Sequence, residues 1–208
     1  MGWRINNYVL KIKPKNTMKK IMFFIITTIF SLSFNYLAQA QDHKNHQNSE
    51  VKADTTKKSI PAETHAMVGA NHFTIKYYAP AVRGRVIWGG LVAYGQVWVT
   101  GAHNATSIEF TQDIKINNTV VKAGKYAFFT IPDKKNWTVI LNKNWEQHLA
   151  DEYDPKEDIL RFEVKPKKQK QVTERLVYEV NKKGKDKKVG EIVVSWEKLS
   201  ITFEFENQ

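Results

Sequence analysis

The chain has 208 residues, 42% hydrophobic and 12% aromatic, enough for one ordinary globular domain with extra length at the ends. It contains no cysteine, which excludes disulfides, thiolate metal sites, cysteine nucleophiles and thioether lipid anchors. Of the formal charge of +11, six basic residues (Arg4, Lys11, Lys13, Lys15, Lys19, Lys20) precede residue 41 with no acidic residue among them, and the remainder carries only +5. No element combines a basic stripe with interleaved aromatics, so nucleic acid is not an expected partner.

The N-terminal segment "MKKIMFFIITTIFSLSFNYLAQAQ" reads as an export signal. Lys19 and Lys20 form the positive region, residues 21–34 the apolar region, and Ala38-Gln39-Ala40 the small-residue motif that signal peptidase requires, with cleavage expected before Gln41. The apolar run is shorter than the roughly 20 residues of a membrane span, so no span is expected after cleavage. The expected location is the periplasm or the medium. Residues before Met18 add nothing to this signal, and Met18 is an alternative start. Residues 41–61 are polar and aperiodic and read as a flexible leader. His43 and His46 lie i, i+3 within it, but with no third ligand nearby no metal site is expected.

The folded domain is expected over residues 62–206. "HFTIKYYAP" (72–80) alternates Phe73, Ile75 and Tyr77 with polar residues and stops at Pro80. Ile108 and Phe110 alternate in one strand, and Ile114 and Ile116 in the next. A turn at Asn117-Asn118 follows, then "KYAFFTIP" and, after "PDKK", "NWTVILNK". "ILRFEVKPK", a hairpin through Gly184 and "SITFEFE" complete the series. One helical turn is expected within 144–155, capped by Asn144 and closed by Pro155. The lysine runs at 165–171 and 181–188 read as solvated hairpin tips. Short strands at spacings of about 8–12 residues, without helical windows between them, predict an all-β fold: a single antiparallel β-sandwich or flattened barrel.

Several ordered segments resemble one secreted bacterial family, the domain of unknown function DUF2911. They are "RGRVIWG" (83–89), "YGQVWVTGA" (94–102), "AGKYAFFTIP" (123–132), "WTVI" (137–140), "YDPKEDILRFEV" (153–164) and the closing "VVSWEKLSITFEF". The resemblance spans about Ala62 to Phe205. It implies one all-β domain exported mainly by bacteria of the Bacteroidetes type, and it implies no reaction. Two positions depart from the family pattern: Val99 stands where an arginine commonly follows the second tryptophan, and His103-Asn104 where Asn-Glu commonly follows Gly-Ala.

"QVWVTGAHNATS" (96–107) is the densest set of candidate chemistry. It reads as a strand, a corner at Gly101, where a turn needs positive φ or close backbone approach, and a second strand. His103, beside that glycine, is the candidate ligand or base. Arg83 and Arg85 flank Gly84 and are candidates for an acidic group, with ion pairing inside the domain as the alternative. Trp88, Trp98, Trp137 and Tyr94 offer flat surfaces, although tryptophans at period-two spacing also suit a core. The acidic run 151–158 offers Asp151, Glu152, Asp154, Glu157 and Asp158, which read first as a solvated turn. Paired carboxylates for glycoside hydrolysis and an oxygen-rich Ca²⁺ loop are the alternatives, although the spacing is not that of an EF-hand. No nucleophile elbow, phosphate loop, dinucleotide fingerprint or zincin motif occurs, and no cofactor is expected.

The expected function is binding of a glycan or small polar ligand in the cell envelope. The expected site consists of Arg83, Arg85, Trp88, Trp98, Gly101, His103 and Asn104. The alternatives are an envelope hydrolase using His103 or the acidic loop 151–158, and a structural or partner-binding role without a pocket.

Overall fold

A computed structural model of the chain describes residues 58–185 and 188–208; the expected signal segment and the leader up to residue 57 lie outside the described residues. Ten strands form two antiparallel sheets. They are β1 (Ser59–Val68), β2 (Asn71–Pro80), β3 (Thr106–Phe110), β4 (Ile114–Ile116), β5 (Thr119–Val121), β6 (Gly124–Ile131), β7 (Trp137–Asn142), β8 (Asp158–Val164), β9 (Lys167–Lys183) and β10 (Val189–Asn207). The larger sheet has the order β1-β2-β3-β6-β7-β8 and the smaller β5-β4-β10-β9. The expected β-sandwich is the observed fold.

The core lies between the sheets and follows from period-two alternation. Along β2, Phe73, Ile75 and Tyr77 are buried while His72 and Lys76 are exposed, because successive side chains point to opposite faces. Aromatic contacts join the sheets: Tyr77 to Tyr178 at 4.7 Å between ring centroids, Phe73 to Phe205 at 4.6 Å, and Phe128 to Phe203 at 6.0 Å. At one end, Trp88, Trp98, Trp137 and Trp196 pack together, mostly edge to face. The indole N–H groups of Trp88, Trp137 and Trp196 are buried there without a hydrogen-bond partner.

Strands β6 and β7 are apolar on both faces, as their uninterrupted runs "YAFF" and "TVIL" require. Phe128, Val139 and Leu141 face the main core. Ala127, Phe129 and Ile140 face outward into a second, smaller cluster covered by Trp145, Ala150 and Tyr153 from the connection between β7 and β8.

The structure departs from the expected elements in five places. β1 begins at Ser59, upstream of the expected domain start, and its inward residues are mostly small (Ala62, Thr64, Ala66), which hid its alternation. The segment 96–105 is not a strand; its β-bridge to the large sheet is the single pair Trp98–Thr130. The helical turn is a 3-10 turn at Pro155–Glu157, one step later than expected: Asp154 rather than Asn144 caps it by accepting from Lys156 N at 2.9 Å, and Pro155 supplies the fixed φ of its first position. The lysine run at 165–171 is not a hairpin tip but opens β9, an edge strand, where lysines discourage pairing with another chain. Finally, the last two expected strands are one, because β10 passes through irregular pairing at residues 195–199, with Glu197 at φ 53°, without breaking.

Candidate functional site

The expected site residues do not converge on one cavity. Arg83 and Gly84 both have positive φ (52° and 66°), forming a tight turn that directs the two arginines differently. Arg83 is exposed, and its backbone N donates to Glu174 Oε1 at 2.9 Å. The Arg85 guanidinium donates to the carbonyls of Ala81 and Val82, at 2.5 and 3.1 Å, and is therefore committed to its own loop. Trp88 and Trp98 belong to the tryptophan end of the core, where Trp98 Nε1 donates to Gly101 O at 3.1 Å.

Gly101 is buried, and close approach is its reason: a Cβ there would lie 2.8 Å from Thr106 Oγ1 and 3.2 Å from Tyr78 O. Of the two reasons expected for it, close approach is the one observed; the positive φ values of this corner fall on Thr100 (48°) and His103 (61°). His103 is exposed, with its ring edge-on to Tyr78 at 4.9 Å, while its carbonyl accepts from Leu149 N at 2.6 Å. Asn104, alone among the seven, lines the large cleft of the domain.

That cleft has a volume of about 750 Å³ and lies over the outer face of the large sheet. Outward residues of four strands line it: Glu63 of β1, Lys76 and Tyr78 of β2, Ser107 of β3 and Lys125 of β6. The far wall is Trp145, Glu146, Gln147 and His148. This wall is stitched to the corner at residues 103–105: Ala105 N donates to Gln147 O at 2.9 Å, and Asn104 bridges His148. Sequence reasoning missed Trp145, whose signal is available in the sequence: a tryptophan in the polar, aperiodic run "KNWEQH" has no core periodicity to satisfy.

The electrostatics of the cleft are mixed. Lys76 Nζ lies 3.4 Å from Glu63 Oε1. Lys125 Nζ lies 3.3 Å from the centroid of the Trp145 ring, a cation–π contact. Gln147 is only 4% exposed; its Nε2 donates to Asn144 O at 2.7 Å, but its Oε1 is buried without a partner. At the rim, His148 Nδ1 is 3.3 Å from Asp151 Oδ2, both side chains being about two-thirds exposed (64% and 68%).

Two other carboxylates of the acidic run, Asp154 and Asp158, hold the connection in place. Asp158 Oδ2 accepts from Tyr153 OH (2.8 Å) and Arg161 NH1 (3.0 Å), and its Oδ1 accepts from Asn142 Nδ2 (2.9 Å). Burial, and secondarily the Asp158 carboxylate, pushes the Tyr153 phenol above its ordinary pKa, so it stays a donor. Among the described residues no three His, Asp or Glu side chains gather as a metal ion would require, and no helix is long and apolar enough to cross a membrane.

The sequence profile of a family described as a protein of unknown function, DUF2911, matches residues 59–205. The chain belongs to this family. No curated protein and no solved structure gives a match. Within the DUF2911 domain, the segments that carry the resemblance build the framework around the cleft more than the cleft itself. "YGQVWVTGA" is tied to "AGKYAFFTIP" by Gly95 N to Pro132 O (2.9 Å), by paired bonds between Trp98 and Thr130 (2.8 and 3.0 Å), and by the buried contact of Thr100 Oγ1 with Thr130 Oγ1 (2.9 Å). "YDPKEDILR" is the Tyr153–Asp154–Asp158–Arg161 clamp. Of the positions that depart from the DUF2911 pattern, Val99 is buried in the outer cluster and Asn104 faces the cleft.

Proposed function

We propose that this DUF2911 protein is an exported binding module that takes a glycan or similarly small polar ligand in the cleft over β1, β2, β3 and β6. The cleft itself carries the reading. Its volume of about 750 Å³ is that of a small-molecule site, and it combines one flat aromatic wall, Trp145, with hydroxyl, amide and charged groups on a rigid sheet. An aromatic ring offers a pyranose a stacking surface, and Ser107, Asn104 and Tyr78 offer directional hydrogen bonds to hydroxyls. Gln147, with its unpartnered Oε1, is one further polar group at this wall.

The test is a thermal-shift screen of neutral and acidic oligosaccharides against the wild type and Trp145→Ala. A ligand that raises the wild-type midpoint and loses at least roughly tenfold in affinity in the variant supports the reading. A panel that shifts neither protein refutes it.

A second reading, an envelope hydrolase, has one observation in its favour: His148 lines the cleft and is oriented by Asp151. It moves the candidate base from His103 to His148. Release of reducing ends from a bound oligosaccharide, abolished in His148→Ala with binding intact, would establish it; unchanged ligand after prolonged incubation would remove it.

A further inference from the structure

Two cations line the cleft, and they are not equivalent. Lys76 is already paired with Glu63. Lys125 has no ion pair among the described residues, although the exposed Glu109 is its direct cross-strand neighbour on β3. Its ammonium instead reaches the Trp145 indole. Trp145 packs against the outer apolar cluster and receives the ammonium on its ring, and both residues line the cleft. A π-face that attracts a cation also attracts the weakly positive C–H face of a pyranose, by the same quadrupole. Where the contact is partly solvated it is weak enough for a ligand to displace.

We infer that the ligand of the cleft is an acidic carbohydrate, whose ring replaces the Lys125 ammonium on Trp145 and whose carboxylate then pairs with that ammonium. This rests on the binding-module reading above. The half-buried Lys125 is screened less than a rim charge, so it weighs more than the free but exposed carboxylate of Glu146. The displaced ammonium stays on the cleft side of β6, within reach of a ligand seated against Trp145, and the ligand's carboxylate replaces the electron-rich ring as its counterpart.

The experiment is titration calorimetry of the full chain with paired trisaccharides, galacturonate against galactose and glucuronate against glucose, at low and high salt. In at least one pair the acidic sugar is expected to bind roughly three- to tenfold tighter at low salt, with the gap closing as salt rises. Lys125→Gln removes the gap while neutral binding is kept or improved, and Lys125→Arg retains it. If the Gln variant does not fold, the salt dependence of the wild type decides alone. Equal or better binding of the neutral sugars overturns the acidic preference and leaves the cleft reading standing. Binding by no trisaccharide overturns both.

Discussion

Thr106 Oγ1 and the Tyr78 carbonyl leave no room for a side chain at Gly101, the residue that lets the chain turn from the tryptophan cluster toward the cleft. Thr106 is itself held, donating to Thr100 O at 3.2 Å, and Tyr78 O belongs to the backbone of β2, so neither neighbour yields cheaply. Gly101→Ala is therefore expected to destabilise the domain by about 1–3 kcal/mol, the usual cost of overpacking a buried site. Urea unfolding measures it, and a midpoint unchanged from the wild type would show that the corner relaxes freely. That Gly101 marks a constrained corner was legible, as a need for positive φ or for close approach; that close approach is the reason was not. That the positive φ values fall on Thr100 and His103 was not legible, since each is compensated by bonds distant in sequence: Thr100 Oγ1 with Thr130, and His103 O with Leu149. Arg85 misled for a similar reason. A guanidinium that donates to carbonyls three and four residues back looks, in sequence, like one free to meet an anion.

The connection between β7 and β8 makes both the outer cluster and one wall of the cleft, and a few polar groups set its path. Asn142, fully buried at the end of β7, accepts from Asn144 N (2.9 Å) and donates to Asp154 O (3.0 Å) and Asp158 Oδ1 (2.9 Å), fastening both ends of the loop to the sheet. Asn142→Ala is expected to cost about 1–3 kcal/mol, because it leaves buried groups unsatisfied. Its effect should concentrate in the loop: amide exchange at residues 144–154 should accelerate more than in β2 or β10, and ligand affinity should fall with it. Uniform acceleration across the domain would instead make Asn142 a residue of global stability. Little of this was legible. The run "DEYDPKED" has the composition of a solvated turn, and the partners that give it a structural role, Asn142 and Arg161, lie outside it. Strands β2 and β3 were legible because they bury large alternating residues, and β6 and β7 because they are short uninterrupted apolar runs. β1 was not, because an edge strand facing Tyr178 through Thr64 needs no bulk: Thr64 Oγ1 donates to Tyr178 O at 2.8 Å.

Across the whole molecule, Tyr178 is where the sandwich and the corner meet. It lies on β9 of the small sheet, only 2% exposed, packs on Tyr77 and Phe128 of the large sheet, and donates from its hydroxyl to Thr100 O at 2.7 Å. Sandwich architecture was written in the sequence as alternation, but this link was not, since it joins residues 78 positions apart. Burial, above all, raises the Tyr178 phenol well above its ordinary value of 10.0, and the nearby Tyr77 adds to the rise. The folded phenol thus keeps its proton at pH values where the unfolded one has lost it. The resulting stability is fully present below the unfolded pKa and is lost as pH rises toward the folded one. Above about pH 10 the Tyr178 contribution should decline by about 1.4 kcal/mol per pH unit. Tyr126 and Tyr153, also raised by burial but half exposed, add in the same direction more weakly. Tyr178→Phe is expected to be less stable near neutrality by about 0.5–1.5 kcal/mol, the net worth of the lost hydrogen bond. The variant should nevertheless lose stability less steeply above pH 10, so the two curves of unfolding free energy against pH converge. Parallel curves across pH 9–11 would mean that the phenol ionises as easily in the folded protein as in the unfolded chain, and that the two sheets are not closed around it.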